Sequence, residues 1–199
     1  AYESQRKQLG NENARTAMTL TNLAWLYADA GRFAVADSAF HTAIAVPDRL
    51  DPNSVFAASA YMGFANLCRD TKRWARADTL YTHALALMDS TNAGLRPYVG
   101  LCLSGRAGLR SLQGQHAAAE SMMEVGFRLQ RGDGREDDPG LGPLFLQWAV
   151  QRVRAGNADS AIEKLRQAAR CGVIGKDASK YRELATLRAR SGYPFEISR

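Results

Sequence analysis

Long apolar runs, cysteine, proline and lysine are all scarce in this 199-residue chain, and each scarcity removes a class of protein. No stretch of about 18 consecutive apolar residues occurs, so no segment reads as a membrane-spanning helix, and no secretory leader is recognisable. The three cysteines, Cys68, Cys102 and Cys171, lack the spacing of a zinc site or a disulfide framework. They read instead as small core hydrophobes of a reducing compartment. The six prolines, Pro47, Pro52, Pro97, Pro139, Pro143 and Pro194, all fall in expected loops or first turns, leaving the intervening stretches free to be helical. Lysine is outnumbered by arginine, 5 to 21, a bias that hints at a GC-rich bacterial genome, and there is no Asn-x-Ser/Thr sequon.

Catalytic chemistry is also thinly provided. The only histidines are His41, His83 and His116, and none is paired in sequence with a nucleophile or a ligand cluster. The segment 172–179, GVIGKDAS, ends like a phosphate loop but lacks its glycine spacing and the hydroxyl residue after Lys176. In 131–140, RGDGREDDPG, Arg135 and Asp138 stand where a calcium loop needs a ligand and a glycine, so the segment reads as a connector. No catalytic residue, metal or cofactor is therefore expected, and the chain is not expected to be an enzyme. Charge is uneven: residues 1–140 carry 15 basic and 15 acidic side chains, and 141–199 carry 11 and 5. With acids interleaved and no aromatic stacking set, the basic end reads as a solvated face rather than a nucleic-acid site.

What the chain does have is repetition. The stretches 22–46, 64–88, 106–130 and 148–172 start 42 residues apart and share one order of events. Each has a small residue (Ala24, Ala65, Ala107, Ala149), a turn, and an alanine soon after it (Ala36, Ala77, Ala119, Ala161). A bulky residue (Phe40, Tyr81, Met123, Leu165) and a small one (Ala43, Ala84, Gly126, Ala168) follow. A fixed period of this size signals a solenoid whose units bury their apolar faces against neighbours. In the first unit Leu20, Leu23, Ala24 and Tyr27 make an i, i+3, i+4, i+7 stripe over 16–29. Gly31 stops that helix, and Phe33, Ala36, Phe40, Ala43 and Ile44 mark a second over 32–46. No alternating strand pattern appears, so an all-α chain is expected.

Leu23, Ala24, Tyr27, Gly31, Phe33, Ala36, Phe40 and Ala43 together resemble the tetratricopeptide repeat signature in type and spacing. The 42-residue unit, longer than the common ~34, is similar to the repeats of kinesin light chains and of many bacterial proteins. Residues 2–20 look like the end of a preceding unit's second helix, its loop and the next helix. The resemblance implies a right-handed superhelical α-α solenoid of about four helix pairs, at 16–46, 54–88, 96–130 and 141–171, forming a single array over 1–199. A polar-faced capping helix is expected over 176–191, from Tyr181, Leu184 and Leu187. Arg106 and Trp148 stand where the first unit has Leu23, and Arg110 and Arg152 where it has Tyr27, so those helices are either rotated or pack arginine stems beneath solvated guanidiniums.

The family's first helices line a concave groove that binds a peptide. Carried over residue by residue, the peptide-binding candidates are Asn22, Trp25 and Asp29 in the first unit and Asn66, Arg69 and Asp70 in the second. Met18, Thr21, Ser59, Met62 and Gly63 accompany them. Ser104, Gly108 and Ser111 are the third unit's candidates, and Gln147, Val150 and Arg154 the fourth's. An asparagine amide both donates and accepts toward a peptide backbone, and Trp25 would be an aromatic anchor, unless these side chains are consumed within the array. No first helix carries a lysine, which disfavours a terminal-carboxylate clamp. The resemblance thus implies a non-catalytic scaffold with a protein or peptide partner, no nucleic acid, and a cytoplasmic site. The alternative is a regulatory module of a larger bacterial signalling protein, a Ser/Thr kinase or transcription regulator, of which this chain is a fragment.

Overall fold

In a computed structural model of the chain, residues 14–45, 55–88 and 92–195 are described. The loop expected around Pro47 and Pro52, and the helix tail expected before residue 14, lie outside them. Eight substantial helices follow in order: α1 Ala14–Asp29, α2 Phe33–Ala45, α3 Val55–Asp70, α4 Trp74–Ala86, α5 Arg96–Leu112, α6 His116–Arg131, α7 Gly142–Arg154 and α8 Ala158–Arg170. The described residues contain no strand. The chain is all-α, its helices packed in sequence-adjacent pairs as in a tetratricopeptide solenoid.

One turn recurs in all four pairs, and its hydrogen bonds explain why each first helix stops where it does. Arg32, Arg73, Gln115 and Asn157 each donate a backbone N–H to the carbonyl five residues back, on Tyr27, Cys68, Arg110 and Arg152. The residue before each donor is left-handed, at Gly31 (φ 72°), Lys72 (61°), Gly114 (77°) and Gly156 (77°). This is the Schellman closure, which satisfies otherwise orphaned carbonyls of the last turn. These turn residues fix the register of the units: the first step is one residue shorter than the 42 of the later two. Glycine fills three of the positions without strain, whereas Lys72 holds a conformation that costs an L-residue about 1–2 kcal/mol. Allowing for glycine's greater freedom when unfolded, Lys72→Gly is expected to stabilise by about 1 kcal/mol, several degrees in a thermal melt. An unchanged melt would show that the lysine side chain compensates its own backbone.

Contacts group the chain into two compact units, residues 1–98 and 99–199. A repeat chain allows this because each helix packs chiefly on its sequence neighbours. In the first unit, Ala24, Ala36, Ala43, Ala65, Ala77 and Ala84 are sealed from solvent, letting backbones close in beside the large rings. Phe40 and Phe64 stack there with centroids 5.8 Å apart. In the second unit α5 and α6 meet backbone to backbone: a methyl on Gly100 would come within 2.6 Å of the Gly126 carbonyl oxygen. Farther along, Phe127, Phe145 and Trp148 cluster at 5.4–6.4 Å, and Lys164 lies 3.9 Å over the indole. Burial there holds the Lys164 ammonium below the usual lysine range.

The end of the second unit differs from the expected capping helix over 176–191. A four-residue helix, Gly175–Ala178, is followed by a 3₁₀ helix, Arg182–Leu187. The reason lies in the spacing that suggested the helix. Tyr181, Leu184 and Leu187 recur at every third residue, which aligns them on one edge of a 3₁₀ helix and drifts off an α-helical stripe. Leu184 and Leu187 are buried, while the intervening Ala185 and Thr186 are exposed. Arg154 binds Glu183 through Nε at 3.0 Å, and Arg166 donates to the Gly192 carbonyl at 3.1 Å, fastening the segment to α7 and α8.

All three cysteines are buried, and none is joined in a disulfide. Burial pushes the Cys102 thiol up to about 12. Cys102 is therefore expected to resist alkylation at neutral pH until the chain opens. Since the thiol stays protonated when folded but ionises from 9.0 when unfolded, its contribution to stability is complete below 9.0 and fades toward about 12. Urea titrations should show that alkaline loss reduced in Cys102→Ala; an identical loss would place its cause elsewhere.

Candidate functional site

The first helices α1 and α3 carry the six residues that the sequence singles out. Asn22, Trp25 and Asp29, spaced i, i+3 and i+7, share one face of α1; Asn66, Arg69 and Asp70 occupy the last two turns of α3. Asn22, Asp29 and Asp70 are exposed, and Trp25, Asn66 and Arg69 are half-buried.

The half-buried members are engaged within the fold. Trp25 meets Phe40 edge-on at 6.4 Å, and its indole nitrogen would lie 2.7 Å from any methyl placed on Gly63. The indole thus packs against the neighbouring pair, where Gly63 makes room for it. Asn66 Oδ1 accepts the hydroxyl of the buried Tyr81 at 2.5 Å. Arg69 Nε donates to Asp70 Oδ1 at 2.8 Å, and its Nη1 reaches the Tyr81 oxygen at 3.5 Å. Tyr81, the bulky repeat residue of α4, therefore ends in a polar cluster that fixes the orientation of Asn66 and Arg69.

Several of the accompanying candidates belong to the interior instead. Thr21 is buried and returns its hydroxyl to the Ala17 carbonyl at 3.0 Å. Ser104 is buried, donating to the Gly100 carbonyl at 2.8 Å and accepting from Gln130 Nε2 at 3.1 Å. Val150 and Ser111 are also buried, and Gly63 serves the core. Each lies where a neighbouring helix covers what a lone amphipathic helix would expose.

The second unit holds a polar constellation that the repeat pattern does not single out. Trp148 Nε1 donates to both Glu120 carboxylate oxygens, at 3.0 and 3.1 Å, and Arg152 pairs with the same carboxylate. Arg152 is half-buried, and where the first unit has an aromatic it makes an ion pair. A signal for it does exist in the sequence. An acid directly follows the repeat alanine in three units, at Asp37, Asp78 and Glu120. Asp37 also takes an arginine of the next unit, Arg73, at 2.5 Å. Beside the Glu120–Arg152 pair opens a cleft of about 190 Å³, lined by Ser111, His116, Gln151 and Asn157 among others.

Among the described residues no cluster of three or more His, Cys, Asp or Glu side chains is placed to hold a metal ion. Within the same residues no helix is long and apolar enough to cross a membrane. The family model for the tetratricopeptide repeat matches residues 56–131, which run from α3 through α6. No curated protein matches the chain.

Proposed function

Since residues 56–131 match the tetratricopeptide repeat, a family of protein-interaction modules, we propose that the chain is a non-catalytic scaffold. It binds a peptide or protein segment on the first-helix face of α1 and α3. The observation that carries this reading is the exposed Asn22 and Asp29 on the same face of α1 as the half-buried Trp25, with Asp70 exposed at the end of α3. Exposed amide and carboxylate groups beside an aromatic surface suit an extended peptide. They accept and donate to its backbone while Trp25 covers an apolar side chain. The mixed charge of Asp29, Asp70 and Arg69 favours a polar segment over a purely acidic or apolar one.

Affinity selection from a peptide library, followed by titration of the best peptide, tests this. Asn22→Ala and Asp29→Ala leave the Tyr81 cluster intact, Asp70→Ala removes only the ion-pair partner of Arg69, and all three are expected to keep the circular dichroism of the parent. Each lost hydrogen bond should weaken binding by about 0.5–1.5 kcal/mol, a few-fold. A folded triple variant that bound the peptide unchanged would remove this face as the site.

A further inference from the structure

The cleft of the second unit is built at the turn edge of two consecutive pairs. The last turns of α5 and α7 contribute Ser111, Gln151 and Arg152; the start of α6 contributes His116 and Glu120. Ser111 and Gln151 are 3% and 5% exposed. Ser111 Oγ, His116 Nδ1 and both amide atoms of Gln151 are buried with no hydrogen-bond partner among the described residues. Leaving such atoms unmatched opposes folding, so a native chain that gathers five of them beside one cleft, Arg152 Nε included, is carrying a cost that a ligand would remove.

The chemistry of these atoms defines the ligand. Arg152, through Nη2, and the Trp148 indole N–H pair with Glu120, so the local charges cancel, and the Arg152 Nε–H is left as one further donor that a neutral carbonyl oxygen can take. Beside that donor the remaining groups are neutral and two-sided: an amide offering Oε1 and Nε2 together, and a hydroxyl that either donates or accepts. Its complement is another planar carboxamide, whose C=O and NH₂ meet those of Gln151 in a paired arrangement. The volume of about 190 Å³ equals roughly six water volumes, room enough for a short side chain.

We propose that this cleft is a specificity pocket for a glutamine or asparagine side chain of a bound peptide. The peptide part rests on the scaffold reading above; the carboxamide chemistry does not. The test uses the whole chain, labelled with ¹⁵N and titrated with butyramide, butyrate and three capped tripeptides: acetyl-Ala-Gln-Ala-amide and its Glu and Leu counterparts. Butyramide and the Gln peptide should give saturable shifts of the Gln151 side-chain NH₂ and the Ser111 amide. Butyrate and the Glu and Leu peptides should bind at least about tenfold more weakly. Gln151→Leu should abolish the shifts while raising or preserving the thermal midpoint, because it removes two unmatched polar atoms. Ser111→Ala, a smaller change, should weaken binding several-fold and serves if Gln151→Leu does not fold. Three results would overturn the proposal: no saturable shift by any probe, which would make the cleft a water site; equal binding of butyramide and butyrate; or butyramide binding with all three peptides inert. The last would leave the α1–α3 face untouched, whereas failure there would leave the butyramide result standing.

Discussion

Tyr81→Ala is expected to cost the first unit about 3–5 kcal/mol, the range for deleting a large buried ring. That is a large share of the roughly 5–15 kcal/mol that holds a domain folded. Tyr81 is fully buried, and its hydroxyl is the donor to Asn66 Oδ1. Tyr81→Phe separates the two roles: it keeps the ring and removes the hydroxyl, for an expected loss of only about 0.5–1.5 kcal/mol. Urea midpoints of the two variants provide the measurement. If Phe cost as much as Ala, the ring's burial would not be the source of stability. The phenylalanine variant should also lower peptide affinity modestly, since Asn66 and Arg69 lose the group that orients them.

Gly100→Val should destabilise the second unit by about 3 kcal/mol, the upper end of what overpacking costs. Its Cβ would meet the Gly126 carbonyl oxygen at 2.6 Å and Gln130 Cγ at 2.8 Å. The first of these is helix backbone, which moves only if the whole α5–α6 crossing widens. Valine's better helix propensity returns a few tenths of a kcal/mol at most. Gly114→Ala provides the contrast. Nothing lies within 4 Å of its added methyl, so only the left-handed backbone opposes it. Its loss should stay near 1 kcal/mol. Equal losses in the two variants would mean that the crossing is not sterically closed.

The helix pairs were legible because their determinants are local. Ala36, Ala77, Ala119 and Ala161 mark close crossings, and all four are buried to 1% exposure or less. Gly31, Gly114 and Gly156 mark the turns, while Lys72 shows that a tight hydrogen-bonded turn imposes its geometry on a residue that propensity would not choose. Spacing of three at Tyr181, Leu184 and Leu187 was readable too, but it serves a 3₁₀ helix as well as a helix face, and only packing decides. Side-chain partnerships across units were harder to read. Asn66 is aimed by a tyrosine 15 residues away, and Arg152 by a glutamate 32 residues away. Nothing within the Asn66 helix reveals its partner, and the Arg152 partner shows only as the acid that follows the repeat alanine. Ser111 and Gln151 sit on stripes that a single helix leaves ambiguous, and their burial comes from the neighbouring pair.

The short closed turn within each pair also bears on how the chain is made. A pair such as α1 and α2 finds all its turn contacts inside one 32-residue stretch, 14–45. Helical modules with contacts this local fold in microseconds to milliseconds. A ribosome adding about 5–20 residues each second needs roughly 2–8 s to deliver the next 42-residue unit. Each pair therefore stands for seconds without the neighbour that will cover its apolar face. Phe33 and Val35 of α2, still exposed in the folded chain, are apolar side chains that a nascent-chain chaperone would meet. Crosslinking at those two positions on stalled ribosomes would catch that encounter.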